Sequence, residues 1–151
     1  MTRPTPSMRG DYARVDSFAL RWDDTDVYGH VNNAVHYRLM DTAVNGYLVQ
    51  EGVLDPSQSE AIFLVVASQC DYFTELRFPG PACVGLKVGH LGTSSVRYDI
   101  GIFGPTGDDA VAQGSFTHVL VGRNHRRPVP IAGALRNCLS ALVRQTVVSP
   151  K

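Results

Sequence analysis

Residues 21–52 read RWDDTDVYGHVNNAVHYRLMDTAVNGYLVQEG, and the change of rhythm inside this stretch decides the fold. From Asn33 to Gln50 the spacing is helical: Val35, Leu39, Thr42 and Gly46 fall on one line, while His36, Met40, Ala43, Tyr47 and Leu48 form the adjoining stripe. This predicts one helix of about five turns at roughly 3.6 residues each, with Asn32 or Asn33 as N-cap and Gly52 as C-terminal stop. Gly46 inside the stripe costs roughly 1 kcal/mol relative to alanine, which makes sense if something packs closely there, such as a sheet wrapped around the helix. Just ahead of the helix lie three carboxylates, a glycine and two adjacent asparagines. A helix N-terminus carries unpaired N–H groups and the positive end of the dipole, so it can hold an anion or the negative charge that develops on an attacked carbonyl. Asp26 sits beside it.

Working outward, Val15, Phe18, Leu20 and Trp22 give an imperfect period of two that predicts a first strand within Tyr12 to Trp22. Residues 1–11 are rich in Pro, Thr, Ser and Arg and predict a loose arm. After the helix, the loop LDPSQSE leads into four strands, Ala61 to Phe73, Ala82 to Leu91, Ser94 to Phe103 and Ala110 to Val121, separated by FPGPA, GT and GPTGDD. Short separators of this kind signal an antiparallel meander. Leu135, Leu139 and Leu142 predict a short terminal helix. The order β-α-β-β-β-β, a single long helix against a single antiparallel sheet, is an α+β arrangement. One domain accounts for all 151 residues, with 44% hydrophobic content sufficient for a core.

Fourteen basic and fourteen acidic residues balance, so no global field draws nucleic acid or an anionic membrane. Apolar runs such as Ala61 to Ala67 and Ala141 to Val148 are too short to span a bilayer, so no membrane insertion is expected. The N-terminus lacks a signal h-region, which predicts a cytoplasmic protein. Cys70, Cys83 and Cys138 are odd in number and widely spaced, which predicts buried free thiols rather than disulfides or a metal knuckle.

Asp24-Thr25-Asp26-Val27-Tyr28-Gly29-His30-Val31-Asn32-Asn33, followed by Tyr37, resembles the D-x-D-x-x-G-H-V-N-N-x-x-Y pattern of hotdog-fold acyl-CoA thioesterases of the 4-hydroxybenzoyl-CoA thioesterase-like family. Weaker echoes are Asp71-Tyr72, Gly92-Thr93-Ser94-Ser95 and the R-R-P-V-P-I of Arg126 to Ile131, so the resemblance covers about residues 14 to 135. It implies a long helix wrapped by a five-stranded antiparallel sheet, a homodimer or homotetramer with active sites between protomers, and hydrolysis of an acyl-CoA to acid and CoA. CoA enters as part of the substrate; no cofactor or metal is implied.

The resemblance places Asp26 as nucleophile or general base, and a carboxylate at that point can do either; the bland alternative is a turn or helix cap. Asn33, with Asn32 and Ala34 more loosely, supplies backbone N–H groups for an oxyanion. Gly29 and His30 belong to the substrate-binding turn, His30 either positioning substrate or making a structural hydrogen bond. Tyr28 and Tyr37 line the acyl pocket or simply pack. Ser94 and Ser95 resemble the place where family members contact CoA, or merely form a turn. Lys87, Arg97, Arg123, His125, Arg126 and Arg127 can meet CoA phosphates or form a solvated surface. No metal site is expected, since H-E-x-x-H spacing is absent, and no Gly-x-Ser-x-Gly elbow supports a serine hydrolase. Two rival readings keep the fold: a non-catalytic acyl-CoA or acyl-carrier binding module, and, on an Asp26-to-His30 spacing one residue too short, an enoyl-CoA hydratase or dehydratase.

Overall fold

A computed structural model describes residues 4–144. Helix α1 spans Asn33–Gln50, as the periodicity predicts, and Asn32 is its cap: extended at φ −62° and ψ 141°, it accepts the Ala34 amide on its side chain. At the other end Gly52 adopts φ +72°, where a Cβ would be strained, and its amide donates to Val49 O.

Five strands, β1 Arg14–Phe18, β2 Ala61–Tyr72, β3 Ala82–Leu91, β4 Ser95–Phe103 and β5 Ala112–Gly122, form one antiparallel sheet in the order β1-β3-β4-β5-β2, followed by α2, Gly133–Ser140. The expected α+β element order is thus present. Strand β1 is shorter than predicted because the Arg21 amide donates to the Asp24 carboxylate at 2.8 Å, closing a 3-10 turn over Trp22–Asp24 that takes Trp22 out of the sheet.

The sheet curls around α1, and alternate side chains bury one face of each central strand: Val84, Leu86 and Val88 on β3, Val96, Tyr98, Ile100 and Ile102 on β4, Phe116 and Leu120 on β5. From α1 this core receives His36, Leu39, Met40, Ala43, Val44, Tyr47 and Leu48. The second helical stripe is therefore buried throughout, and of the first line Leu39 alone is fully buried with it. Thr42 and Gly46 instead lie exposed along a groove beside β1, and nothing stands within 4 Å of a Cβ built on Gly46, so the close packing expected there is absent in the single chain. Leu139 of α2 and Leu142 close one end, where the Tyr47 hydroxyl donates to Cys138 O at 3.0 Å. His118 is buried beside the rings of Phe63, Tyr98 and Phe116, and burial pushes its pKa down to about 4, so it is neutral at pH 7 and packs as a ring.

The N-terminal segment is not a loose arm within the described residues. The Ala110 amide donates to Ser7 O at 2.8 Å, the Arg9 guanidinium donates to Gly104 O and Gly107 O, and the Tyr12 ring lies on the outer face of the sheet. Two glycines make room for that ring: Gly85 and Gly101 are cross-strand partners, and a Cβ on either would come within 2.6 Å of Tyr12. Residues 1–3 of the predicted arm, and the end of the apolar run from Ala141, lie outside the described residues. All three cysteines are free and half-buried, and among the described residues no helix is long and apolar enough to cross a membrane.

The glycine trough yields a prediction. Gly85→Ala should lower stability by about 1–3 kcal/mol through overpacking, measured by urea unfolding, whereas the same substitution in a Tyr12→Ala background should cost little, because the clash is with that ring.

Candidate active site

The segment between β1 and α1 is held by one buried carboxylate. Asp24, 2% exposed, accepts the Arg21 amide on Oδ2 at 2.8 Å and the Arg38 guanidinium on Oδ1 at 2.7 Å, with the Arg21 guanidinium at 3.2 Å. Burial pushes its pKa upward, but the Arg21 amide and the Arg38 and Arg21 guanidiniums outweigh that and hold the carboxyl below the usual range. Arg38 lies one turn into α1, so this contact fixes the loop to the helix. Asp24 O also accepts the Asn32 amide at 2.9 Å.

Beyond Asp24 the chain turns tightly over Asp26–His30. The Asp26 amide donates to His30 O at 2.9 Å and the Gly29 amide to Asp26 O at 3.1 Å, with Gly29 at φ +82°. Asp26 Oδ1 accepts the Tyr28 amide at 2.9 Å. The Val31 amide donates to Leu76 O at 2.8 Å, which ties the turn to the segment that leaves β2. Between these pieces opens a cleft of about 540 Å³ lined by Asp26, Tyr28, His30, Asn33, His36 and residues 72–76.

The cleft brings Asp26 together with the first turn of α1. The Ala34 amide is taken by the Asn32 side chain and the Val35 amide by Asn32 O, while the Asn33 amide has no acceptor among the described residues. Asn33, whose N–H stands open at the positive end of the helix, therefore lines the same cavity as Asp26. Across it, His30 Nε2 lies 2.9 Å from Glu75 Oε2, which also accepts from Arg77 Nη2 at 2.9 Å. His36 forms part of the floor: buried, edge-on to the Tyr72 ring at 5.0 Å, with Nδ1 3.3 Å from Asn32 O. Burial lowers its pKa. The Tyr72 hydroxyl donates to Asn33 O at 3.4 Å, while burial raises its own pKa.

Not every expected residue joins this cleft. Tyr28, 80% exposed, stands on its rim. Tyr37 is stacked on Phe116, ring centroids 6.1 Å apart, and does not line it. Ser94 and Ser95 lie at the opposite end of the sheet: Tyr72 pairs with Ala112 and Ala112 with Ile102, and Ser95 is seven residues along β4 from Ile102, about 23 Å at roughly 3.3 Å per residue. Lys87 and Arg97 line a separate cleft of about 410 Å³ on the outer face of the sheet. The Arg123–Arg127 turn follows β5 at the Ser95 end, with Arg123 donating to Ser59 O and Pro56 O. Glu75 and Arg77 were invisible in the sequence, where TELRFPG reads only as a loop. Among the described residues no group of three or more His, Cys, Asp or Glu is placed to hold a metal.

Residues 20–139 match the model of a family described as the thioesterase-like superfamily. Among solved structures, the PA5185 protein of Pseudomonas aeruginosa strain PAO1 is 46% identical, with 93% of this chain and 97% of that one aligned at a TM-score of 0.89. A thioesterase of Thermus thermophilus, complexed with coenzyme A and zinc, is 28% identical over 87% of this chain and 95% of its own, with a TM-score of 0.71. The 1,4-dihydroxy-2-naphthoyl-CoA thioesterase of Synechocystis shares the fold at 16% identity, over 83% and 94% of the two chains with a TM-score of 0.76. No curated protein matches the sequence. The wrapped helix described above is the hotdog fold of these thioesterases.

Asp24→Asn should lower stability by about 1–3 kcal/mol at pH 7, the cost of a broken buried hydrogen-bond set. Because the folded-state pKa lies below the ordinary 3.8, the contribution is complete above that value and is lost as pH falls through the folded pKa. Denaturation midpoints of the two proteins should therefore converge on acidification below about pH 4.

Proposed function

The chain belongs to the thioesterase-like superfamily, and from that premise we propose that it is a cytoplasmic acyl-CoA thioesterase, hydrolysing an acyl-CoA to the free acid and coenzyme A. The observation that carries this reading is the shared cleft of Asp26 and the open Asn33 amide. With the thioester carbonyl between them, Asp26 takes a proton from the attacking water, and the Asn33 N–H, backed by the α1 dipole, receives the charge that develops on oxygen. One such donor contributes on the order of 3 kcal/mol in other systems. Asp26 stays oriented because its Oδ1 is held by the Tyr28 amide, leaving Oδ2 as proton acceptor. Proton transfer and oxyanion stabilisation by these two groups ask for no cofactor and no metal.

The same reading makes the working unit at least a homodimer. Strand β2 is an edge strand whose Leu64, Val65 and Val66 are 37%, 50% and 60% exposed, an apolar edge that favours pairing with another copy. The ends of β2 carry different groups: Tyr72 adjoins the cleft, while Ala61 pairs with Gly122 beside the basic turn. Two-fold antiparallel pairing of β2 edges would bring the turn of one protomer, with Arg126 and Arg127, beside the cleft of its partner. There the arginines can meet CoA phosphates, and Ser94 and Ser95 approach from the same end.

Thiol release across short, long, branched and aromatic acyl-CoAs tests the reaction. Wild-type protein should turn over at least one class, and Asp26→Asn should lose about 100-fold or more in kcat with an unchanged melting temperature; tight acyl-CoA binding without thiol release would leave only a binding module. For the assembly, sedimentation should give at least twice the 16.5 kDa chain mass. Val66→Lys should shift the protein toward monomer and reduce turnover with it.

A further inference from the structure

We propose that Glu75 is a positioning residue for His30, and that His30 held in this way delivers a proton to the departing sulfur; this role rests on the hydrolase reading above. His30 Nε2 lies 2.9 Å from Glu75 Oε2, and a carboxylate oxygen can only accept, so Nε2 carries the hydrogen of that contact. Arg77 Nη2 stands 3.4 Å from the same Nε2, and since both groups then carry hydrogens its bond goes to Glu75 Oε2 at 2.9 Å, where the guanidinium holds the carboxylate against the ring. With Nε2 committed, the proton that the ring gains and gives up is the one on Nδ1.

The placement suits the leaving group. Asp26 and His30 leave the two ends of a single closed turn, since the Asp26 amide donates to His30 O, and both residues line the cleft that Asn33 also lines. A thioester sulfur is bonded to the carbonyl carbon, so a group flanking Asp26 in that cleft is within reach of it. Water adds to the carbonyl carbon as Asp26 takes its proton. The tetrahedral oxyanion then collapses, the C–S bond breaks with its electron pair going to sulfur, and the imidazolium Nδ1–H passes its proton to that sulfur. Solvent takes the Asp26 proton and restores the one on His30, so that thioester and water become carboxylate, thiol and one released proton.

A purely structural tie between the turn and the segment after β2 is the competing account. Glu75 and Arg77 side chains are 50% and 66% exposed, and ion pairs of that kind contribute little to stability. The decisive comparison uses two thioesters of one acyl group, the CoA ester and the 4-nitrothiophenyl ester, whose thiolate departs without a proton. For the CoA ester, Glu75→Gln and His30→Asn should each lower kcat by about 10-fold or more with KM little changed. The double variant should be no slower than the worse single, and all three should keep the wild-type melting temperature. With the nitrothiophenyl ester the loss should shrink below about twofold. Equal losses for both esters, or none for the CoA ester, would overturn the proposal while leaving wild-type hydrolysis in place; failure of the wild type to release thiol from any acyl-CoA would remove the hydrolase and this role together.

Discussion

Asp24 buries a carboxylate under the loop that enters α1, and the site is built on what that carboxylate holds. Its partners come from three places, the Arg21 amide, the Arg21 side chain and Arg38 on the helix, while its own carbonyl takes the Asn32 amide. A buried charge with this many partners is costly to displace. Asn32 must therefore begin the helix where it does, which places Asn33 and the Asp26–His30 turn along one cleft. The bulk of α1 is anchored independently, by Leu39, Met40, Ala43, Val44 and Leu48 against the sheet. Packing fixes the axis of the helix; Asp24 fixes its mouth.

The cleft combines groups that would be weak alone. An Asp in a tight turn is ordinarily a cap, and Asp26 does accept an amide two residues on, as a capping residue would. Its company in the cleft is Asn33, with an unused helix N–H, and a histidine held by a second carboxylate. His36, kept neutral by burial, and Tyr72 close the floor without adding charge. Asp26 thus lines the same cleft as Asn33, whose backbone donor the capping pattern leaves open.

Much of this was legible from residues 21–52. Helix α1 and strand β3 begin and end where periodicity and turn residues place them, because each pattern is long and flanked by Asn, Gly or Pro. Strand β1 was overextended since its alternation runs on to Trp22; the Asp24 side chain, a local hydrogen-bond competitor, ends it earlier. The two stripes of α1 could not be ranked without knowing how far the sheet wraps, and Thr42 and Gly46 proved to face outward. Asp26, His30 and Asn33 line one cleft because they are near in sequence. Glu75 meets His30 only through the fold, and TELRFPG carries no periodic or motif signal that marks it. Ser94 and Ser95 follow the same rule in reverse: Ser94 lies in the turn and Ser95 opens β4, at the end of the sheet remote from the cleft of its own chain.

The central claim is that Asp26 and the Asn33 amide converge on one carbonyl. A crystal structure with an acyl-CoA analogue whose sulfur is replaced by methylene, leaving an unreactive ketone, tests it most directly. The account predicts the ketone oxygen about 3 Å from the Asn33 nitrogen, with the Asp26 carboxylate on the face of the carbonyl that water attacks. A ketone bound with its oxygen turned away from that amide, or outside the cleft altogether, would contradict it.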